Sequence, residues 1–107
     1  MATGRLGAVD LTAATDTLLY TVPAGTFTVA TVSIVNRSNS AITVRVGVST
    51  STTIIGVTDY IEYETEIMPK GVLERTGLVI DAGKSILVRS STANVTAMAF
   101  GIETPTS

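Results

Sequence analysis

Between Thr21 and Ser49 the chain reads TVPAGTFTVATVSIVNRSNSAITVRVGVS, and this stretch constrains the fold more than any other. Its last part alternates without exception: Ile42, Val44, Val46 and Val48 share one face, Thr43, Arg45 and Gly47 the other. Successive side chains of a strand point to opposite faces, so this is a strand with one dry side and one wet side. Phe27 to Val35 is rich in β-branched residues, which suit a pleated, half-buried surface. Val22-Pro23-Ala24-Gly25 turns the chain before it, because proline presets its own φ and glycine tolerates a positive one. Asn36-Arg37-Ser38-Asn39-Ser40, between the two runs, is made of side chains that hydrogen-bond their own backbone and favour reversals. The expectation is two long strands folded back on each other.

The rest of the chain repeats the pattern. Ala8 to Leu11 reads as a short strand, and Thr17 to Val22 as another with Leu18, Tyr20 and Val22 on one face. Thr50 to Thr58 (TSTTIIGVT) is unpatterned and reads as a long loop with room for one helical turn, pinned to the core by Ile54 and Ile55. Asp59 to Ile67 alternates again, with Ile61, Tyr63, Thr65 and Ile67 facing one way and Tyr60, Glu62, Glu64 and Glu66 the other. Met68-Pro69-Lys70-Gly71 turns the chain into Val72 to Ile80, where Thr76-Gly77 marks an expected bulge. After the turn Asp81-Ala82-Gly83-Lys84 come Ile86 to Arg89 and Val95 to Ile102. The last of these is apolar on both faces, so it is either central in its sheet or covered by another subunit. Seven to eight short strands with turns between them and no helical period make a single-domain, all-β antiparallel sandwich or jelly roll over residues 1–107. Residues 1–7 read as an N-terminal arm and 103–107 as a C-terminal tail.

Composition narrows the function classes. With 45% hydrophobic residues, wholesale disorder is excluded, while 15% charged residues is a low surface charge for a small free monomer and suits a chain that packs against copies or partners. Arg5, Arg37, Arg45, Lys70, Arg75, Lys84 and Arg89 are scattered singly and the net charge is −2, so there is no footprint for nucleic acid. Cysteine is absent, which excludes disulfides and cysteine-held zinc. Met1 to Gly7 carries no apolar signal core, and no apolar run approaches about 18 residues, so no membrane partner is expected.

Candidate chemistry is sparse. Without histidine there is no serine triad. Glu62, Glu64 and Glu66, about 7 Å apart on one strand face, match an inverting glycosidase pair in spacing, but an acidic stripe on the wet side of an edge strand explains them better. A patch complementary to a basic neighbour such as Arg5 or Arg37 is preferred to catalysis. Asp10, Asp16, Asp59 and Asp81 stand where aspartate begins or ends turns, and none lies in a calcium-loop motif. Tyr20 and Tyr63 fall on core faces and Tyr60 on an outer one, a thin basis for sugar stacking. No catalytic, metal or cofactor residue is assigned.

Several signals occur in a telling order: Gly4-Arg5-Leu6-Gly7 with Asp10-Leu11, LYTVPAG ending at Gly25, and Val35-Asn36-Arg37. Asp59-Tyr60-Ile61-Glu62-Tyr63, Gly71-Val72-Leu73-Glu74-Arg75 and the closing Gly101-Ile102-Glu103 follow. In this order they resemble a family of small virion proteins of tailed bacteriophages, particularly marine and cyanobacterial phages. The resemblance spans nearly the whole chain and transfers no functional residues. It implies a non-enzymatic β-sandwich repeated on the particle surface, as a capsid decoration or cement protein, or next a tail, neck or fibre-attachment component. Other virion proteins and further copies of the chain are the implied partners, in a virion assembled in the host cytoplasm. A carbohydrate-binding or adhesion module is the remaining alternative. The residues expected at contacts are Met1, Ala2, Thr3, Arg5 and Leu6 of the arm, Arg37, the face Tyr60, Glu62, Glu64 and Glu66, and Pro105 of the tail.

Overall fold

The computed structural model describes residues 3–106. Eight strands follow one another: β1 (Thr3–Asp10), β2 (Thr17–Thr21), β3 (Thr26–Asn36), β4 (Ile42–Ser49), β5 (Tyr60–Ile67), β6 (Val72–Ile80), β7 (Ser85–Ser90) and β8 (Val95–Pro105). They form two antiparallel four-stranded sheets, ordered β1-β8-β3-β6 and β2-β7-β4-β5. We call these the β1 sheet and the β2 sheet. The pairs β1–β8, β2–β7, β3–β6 and β4–β5 make the chain one long ribbon doubled back at residues 50–59. Rolling that ribbon adds the pairs β3–β8 and β4–β7. The result is a β-sandwich with the strand order of a jelly roll.

The core lies between the sheets. Ala30, Val32, Ile34, Val95, Ala97 and Ala99 face Tyr20, Ile42, Val44, Val46, Ile86 and Val88. The alternation seen in Ile42 to Val48 is the direct cause, since one side of each strand must find a dry partner. The hairpin expected over Thr21 to Ser49 does not form, however. β3 and β4 lie in opposite sheets, and the Asn36–Ser40 reversal carries the chain across the sandwich. Paired in one sheet, the two dry faces would lie side by side; in opposite sheets they bury each other. Asn36 holds the crossing: its buried Nδ2 donates to the carbonyls of Ser40 at 2.8 Å and of Ile67 and Met68 at 3.2 Å. Its Oδ1 accepts from the Ser38 amide at 3.0 Å and hydroxyl at 2.7 Å.

Three further expectations need correction. Residues 3–7 are not a free arm, because β1 pairs with β8 from Thr3 onward; Met1 and Ala2 lie outside the described residues. The tail is also sheet: β8 continues to Pro105, opposite Thr26, and the Thr106 amide donates to Gly25. The strict alternation of Asp59 to Ile67 is broken, because the register on β4 slips twice, Val44 facing Thr65 but Val46 facing Glu62 and Gly47 facing Tyr60. Glu64 takes a φ of 52° there. The bulge expected at Thr76-Gly77 is present, with Gly77 at φ 71° between the pairs Ala30–Leu78 and Val32–Arg75.

Each open side of the sandwich is closed differently. On the β1–β2 side the backbones touch, since a Cβ on Gly7 would sit 2.3 Å from the Leu19 carbonyl oxygen. On the β5–β6 side the Arg75 guanidinium reaches Glu62 at 2.7 Å, capping the core between the fully buried Val32 and Val46. A third link runs through the core: the Tyr20 hydroxyl of β2 hydrogen-bonds the Glu103 carboxylate of β8 and lies 2.9 Å from the Thr28 hydroxyl of β3. Burial, reinforced by Glu103, pushes the Tyr20 phenol up to about 12.

Candidate docking face and polar pocket

The cross-strand register of the β1 sheet places its outward side chains in rows. One row is Thr3, Ile102, Val29 and Val79; another is Asp10, Thr96, Val35 and Val72. Between them lie Phe100 beside Arg5 and Thr31, and Met98 between Ala8 and Ser33, with Glu74 beyond. This face is apolar and bare: Val79 is 72% exposed, Val72 57%, Ile102 54%, Val29 42% and Phe100 39%. Scattered exposed apolar residues are ordinary on a small domain, but a contiguous sheet face of them marks a contact surface. Its charged members, Asp10, Arg5 and Glu74, stand on the edge strands, while Thr31, Ser33 and Thr96 place hydroxyls on the two central strands.

The outer face of the β2 sheet is polar and partly roofed. Leu87, central in that sheet, is fully buried although it points outward. Its neighbour is Gly47, where a Cβ would lie 2.4 Å from Ile55 Cγ2. The loop 50–59 therefore folds over this face with Ile55 as its anchor, while Ile54 stays exposed. The Ile55 amide donates to Asp16 Oδ2 at 3.0 Å, and Asp59 Oδ2 accepts from the Gly56 amide at 2.8 Å. The loop contains no helical turn.

Beside the roof is a pocket of about 220 Å³ lined by Thr43, Arg45, Glu64, Arg89, Ser90 and Ser91, with Ala14. Arg45 and Arg89 are cross-strand neighbours. Arg45 is 3.1 Å from Glu64, and Arg89 is 3.5 Å from Asp16. Arg45 Nε and Asp16 Oδ1 are buried without a hydrogen-bond partner. The Arg45 guanidinium lies 4.7 Å from the Tyr63 ring centroid and 6.0 Å from that of Tyr60. The two rings meet edge to face at 4.9 Å. The hydrogen bond from Arg45 holds the Glu64 carboxyl below its ordinary value, and Glu64 in turn raises Arg45. A carboxylate held ionised by arginine is a poor proton donor. Guanidinium, hydroxyls and an exposed ring make this a site for hydrogen-bonding and stacking.

The structure redistributes the residues expected at contacts. Thr3 and Arg5 lie on the outer face of the β1 sheet, whereas a register shift after Arg5 turns Leu6 toward the core. Arg37 is tied to Asp10 at 2.5 Å, and its carbonyl accepts from Lys70 Nζ at 2.8 Å. The acidic stripe does not exist as one face. Glu62 turns to Arg75 and Thr65 Oγ1, Glu64 to Arg45, and Glu66 stays exposed. The partners of these acids are Arg45 and Arg75, so the expected match to Arg5 or Arg37 is corrected. Tyr63 is 59% exposed and joins the half-buried Tyr60 outside, because the double slip of register rotates it away from the core. Pro105 ends β8 at the margin.

Asp10, Asp16, Asp59 and Asp81 lie apart, each engaged by its own partner. Among the described residues no three acidic side chains come close enough to hold a metal ion. Sequence reasoning missed Val29, Val72 and Val79 as surface residues, though the two apolar faces of Val95 to Ile102 pointed to the same sheet. No family model, curated protein or solved structure matches the chain.

Proposed function

We propose that this chain is a non-enzymatic structural protein of a tailed-bacteriophage virion, a capsid decoration or cement protein that stabilises the particle through subunit contacts. One observation supports the reading toward assembly: Val29, Val72, Val79, Phe100 and Ile102 stand exposed on one face of the β1 sheet, with its charged residues on the two edge strands. The resemblance to small virion proteins in the order of motifs supports the particle as its place. Jelly-roll order is shared by viral capsid and lectin domains and so decides nothing alone.

Purified virions of the phage whose genome encodes the chain test this directly. Quantitative mass spectrometry should find the chain in a fixed ratio to the major capsid protein, and particles stripped of it should lose heat resistance. A copy number matching a tail or neck ring would move it to that alternative. Its absence from particles would overturn the reading.

A carbohydrate-binding role is favoured by a separate observation, the Tyr60–Tyr63 pair beside the Arg45 pocket. Binding on a glycan array that disappears in Tyr63→Ala would establish it.

A further inference from the structure

We propose that the outer face of the β1 sheet receives a second copy of this chain, packed face to face about a two-fold axis near-parallel to the strands. The proposal rests on reading this face as a docking surface and adds its occupant.

The charges point to self-complementarity. Five of the seven cationic side chains are ion-paired within the chain, Arg37 with Asp10, Arg45 with Glu64, Arg75 with Glu62, Lys84 with Asp81 and Arg89 with Asp16. Lys70 is spent on the Arg37 carbonyl. Among the described residues, Arg5 is the cation left without a partner, and Glu66 and Glu74 are the corresponding acids. Arg5 and Glu74 flank the apolar face on its two opposite edge strands, β1 and β6.

A two-fold axis along the strands reverses the strand order of the facing copy. It lays β1 over β6 and β8 over β3. Arg5 of each copy then meets Glu74 of the other, twice per dimer. The two positions differ by one outward step, about 7 Å, which the two long side chains span together. The same operation sets Ile102 of one copy over Val29 of the other, and Phe100 over Thr31. Aligned sheets pack in this way with strands crossing at about 30°.

Size sets the strength. Four strands about 4.8 Å apart, each with four or five outward positions, give a face of roughly 500 Å² in projection. With its rim this approaches the lower end of a standard interface, about 600 Å² per partner, which suits a weak, reversible dimer.

Sedimentation equilibrium of the full chain tests it, with circular dichroism melts to show that each variant folds. The expected result is a reversible dimer. Arg5→Glu and Glu74→Arg each weaken it about 10-fold or more by setting like charges opposite one another, and combining them restores it. Val79→Lys abolishes it without any appeal to charge pairing. A wild-type chain that stays monomeric at about 1 mM overturns the proposal, as does a dimer indifferent to Val79→Lys or a charge swap that fails to restore association. A monomeric chain still found in virions overturns the dimer alone. A dimer absent from virions overturns the virion reading alone.

Discussion

On the outer face of the β1 sheet, Val29, Ile102 and Val79 stand in a row with nothing over them. On the outer face of the β2 sheet, Leu87 sits on a central strand, points outward too, and is fully buried. Both sheets thus carry apolar residues on the side that strand alternation assigns to solvent. The β2 sheet covers its own with the loop 50–59, anchored by Ile55 and closed by the carboxylates of Asp16 and Asp59. The β1 sheet has no such loop. The chain covers one outward apolar face with its own loop and leaves the other open to solvent.

The largest expected effect contrasts those two faces directly. Gly47→Val drives a side chain into the space of Ile55, whose Cγ2 would already lie 2.4 Å from a Cβ, with the Asp59 carbonyl at 3.3 Å. Unseating the roof exposes Ile55 and Leu87 and should cost about 2–4 kcal/mol in urea unfolding. Val79→Thr on the opposite face should change the stability of the dilute monomer by less than about 0.5 kcal/mol. Equal costs at the two positions would show that the faces do not differ as described.

A smaller effect tests whether the link between the sheets is independent of either face. Tyr20→Phe removes the phenol's buried hydrogen bonds to the Glu103 carboxylate and the Thr28 hydroxyl, at a cost of about 1–3 kcal/mol at neutral pH. The phenol has a pKa of 10.0 in the unfolded chain and about 12 in the fold. Below the lower value it is protonated in both states and its contribution is complete. Through this window the unfolded chain gives up its proton first, so stability falls with rising pH, by roughly 1–3 kcal/mol in total. Urea unfolding across the alkaline range should show that slope in the parent and not in Tyr20→Phe.

The β-strands themselves were legible because alternation is a local property. Val72 to Ile80 was bounded to the residue, and its bulge at Gly77 was visible as an interior glycine. Pairing was not legible. Val32 seeks a dry neighbour as readily across the sandwich as beside it, so the jelly-roll order and the separation of β3 from β4 depend on contacts distant in sequence. The candidate surfaces failed for a second physical reason. A register slip of one residue exchanges the faces of a strand, and two slips on β5 moved Tyr63 outward and split Glu62 from Glu64. Glu103 was hidden differently: near the chain end it reads as tail, and only the length of β8 carries it into the core.

The smallest expected effect sharpens the polar side of the comparison, where charge rather than apolar area defines the face. Glu64 is exposed, so its ion pair adds little to stability, but its protonation is a sensitive report of the pocket. Arg45, donating to the Glu64 carboxylate, holds that carboxyl below its ordinary value, with Arg89 acting in the same direction. A depressed carboxyl pKa means that Glu64 stays ionised as acid is added and that the pair is lost only below the usual carboxylate range. Carbon-detected NMR titration of the Glu64 side chain should find its midpoint below the ordinary glutamate value, and Arg45→Met should move that midpoint up. The same substitution removes the cation from the Tyr63 ring, so the tyrosine resonances should shift even at neutral pH. If Glu64 titrates alike in the parent chain and in Arg45→Met, the arginine does not organise this face.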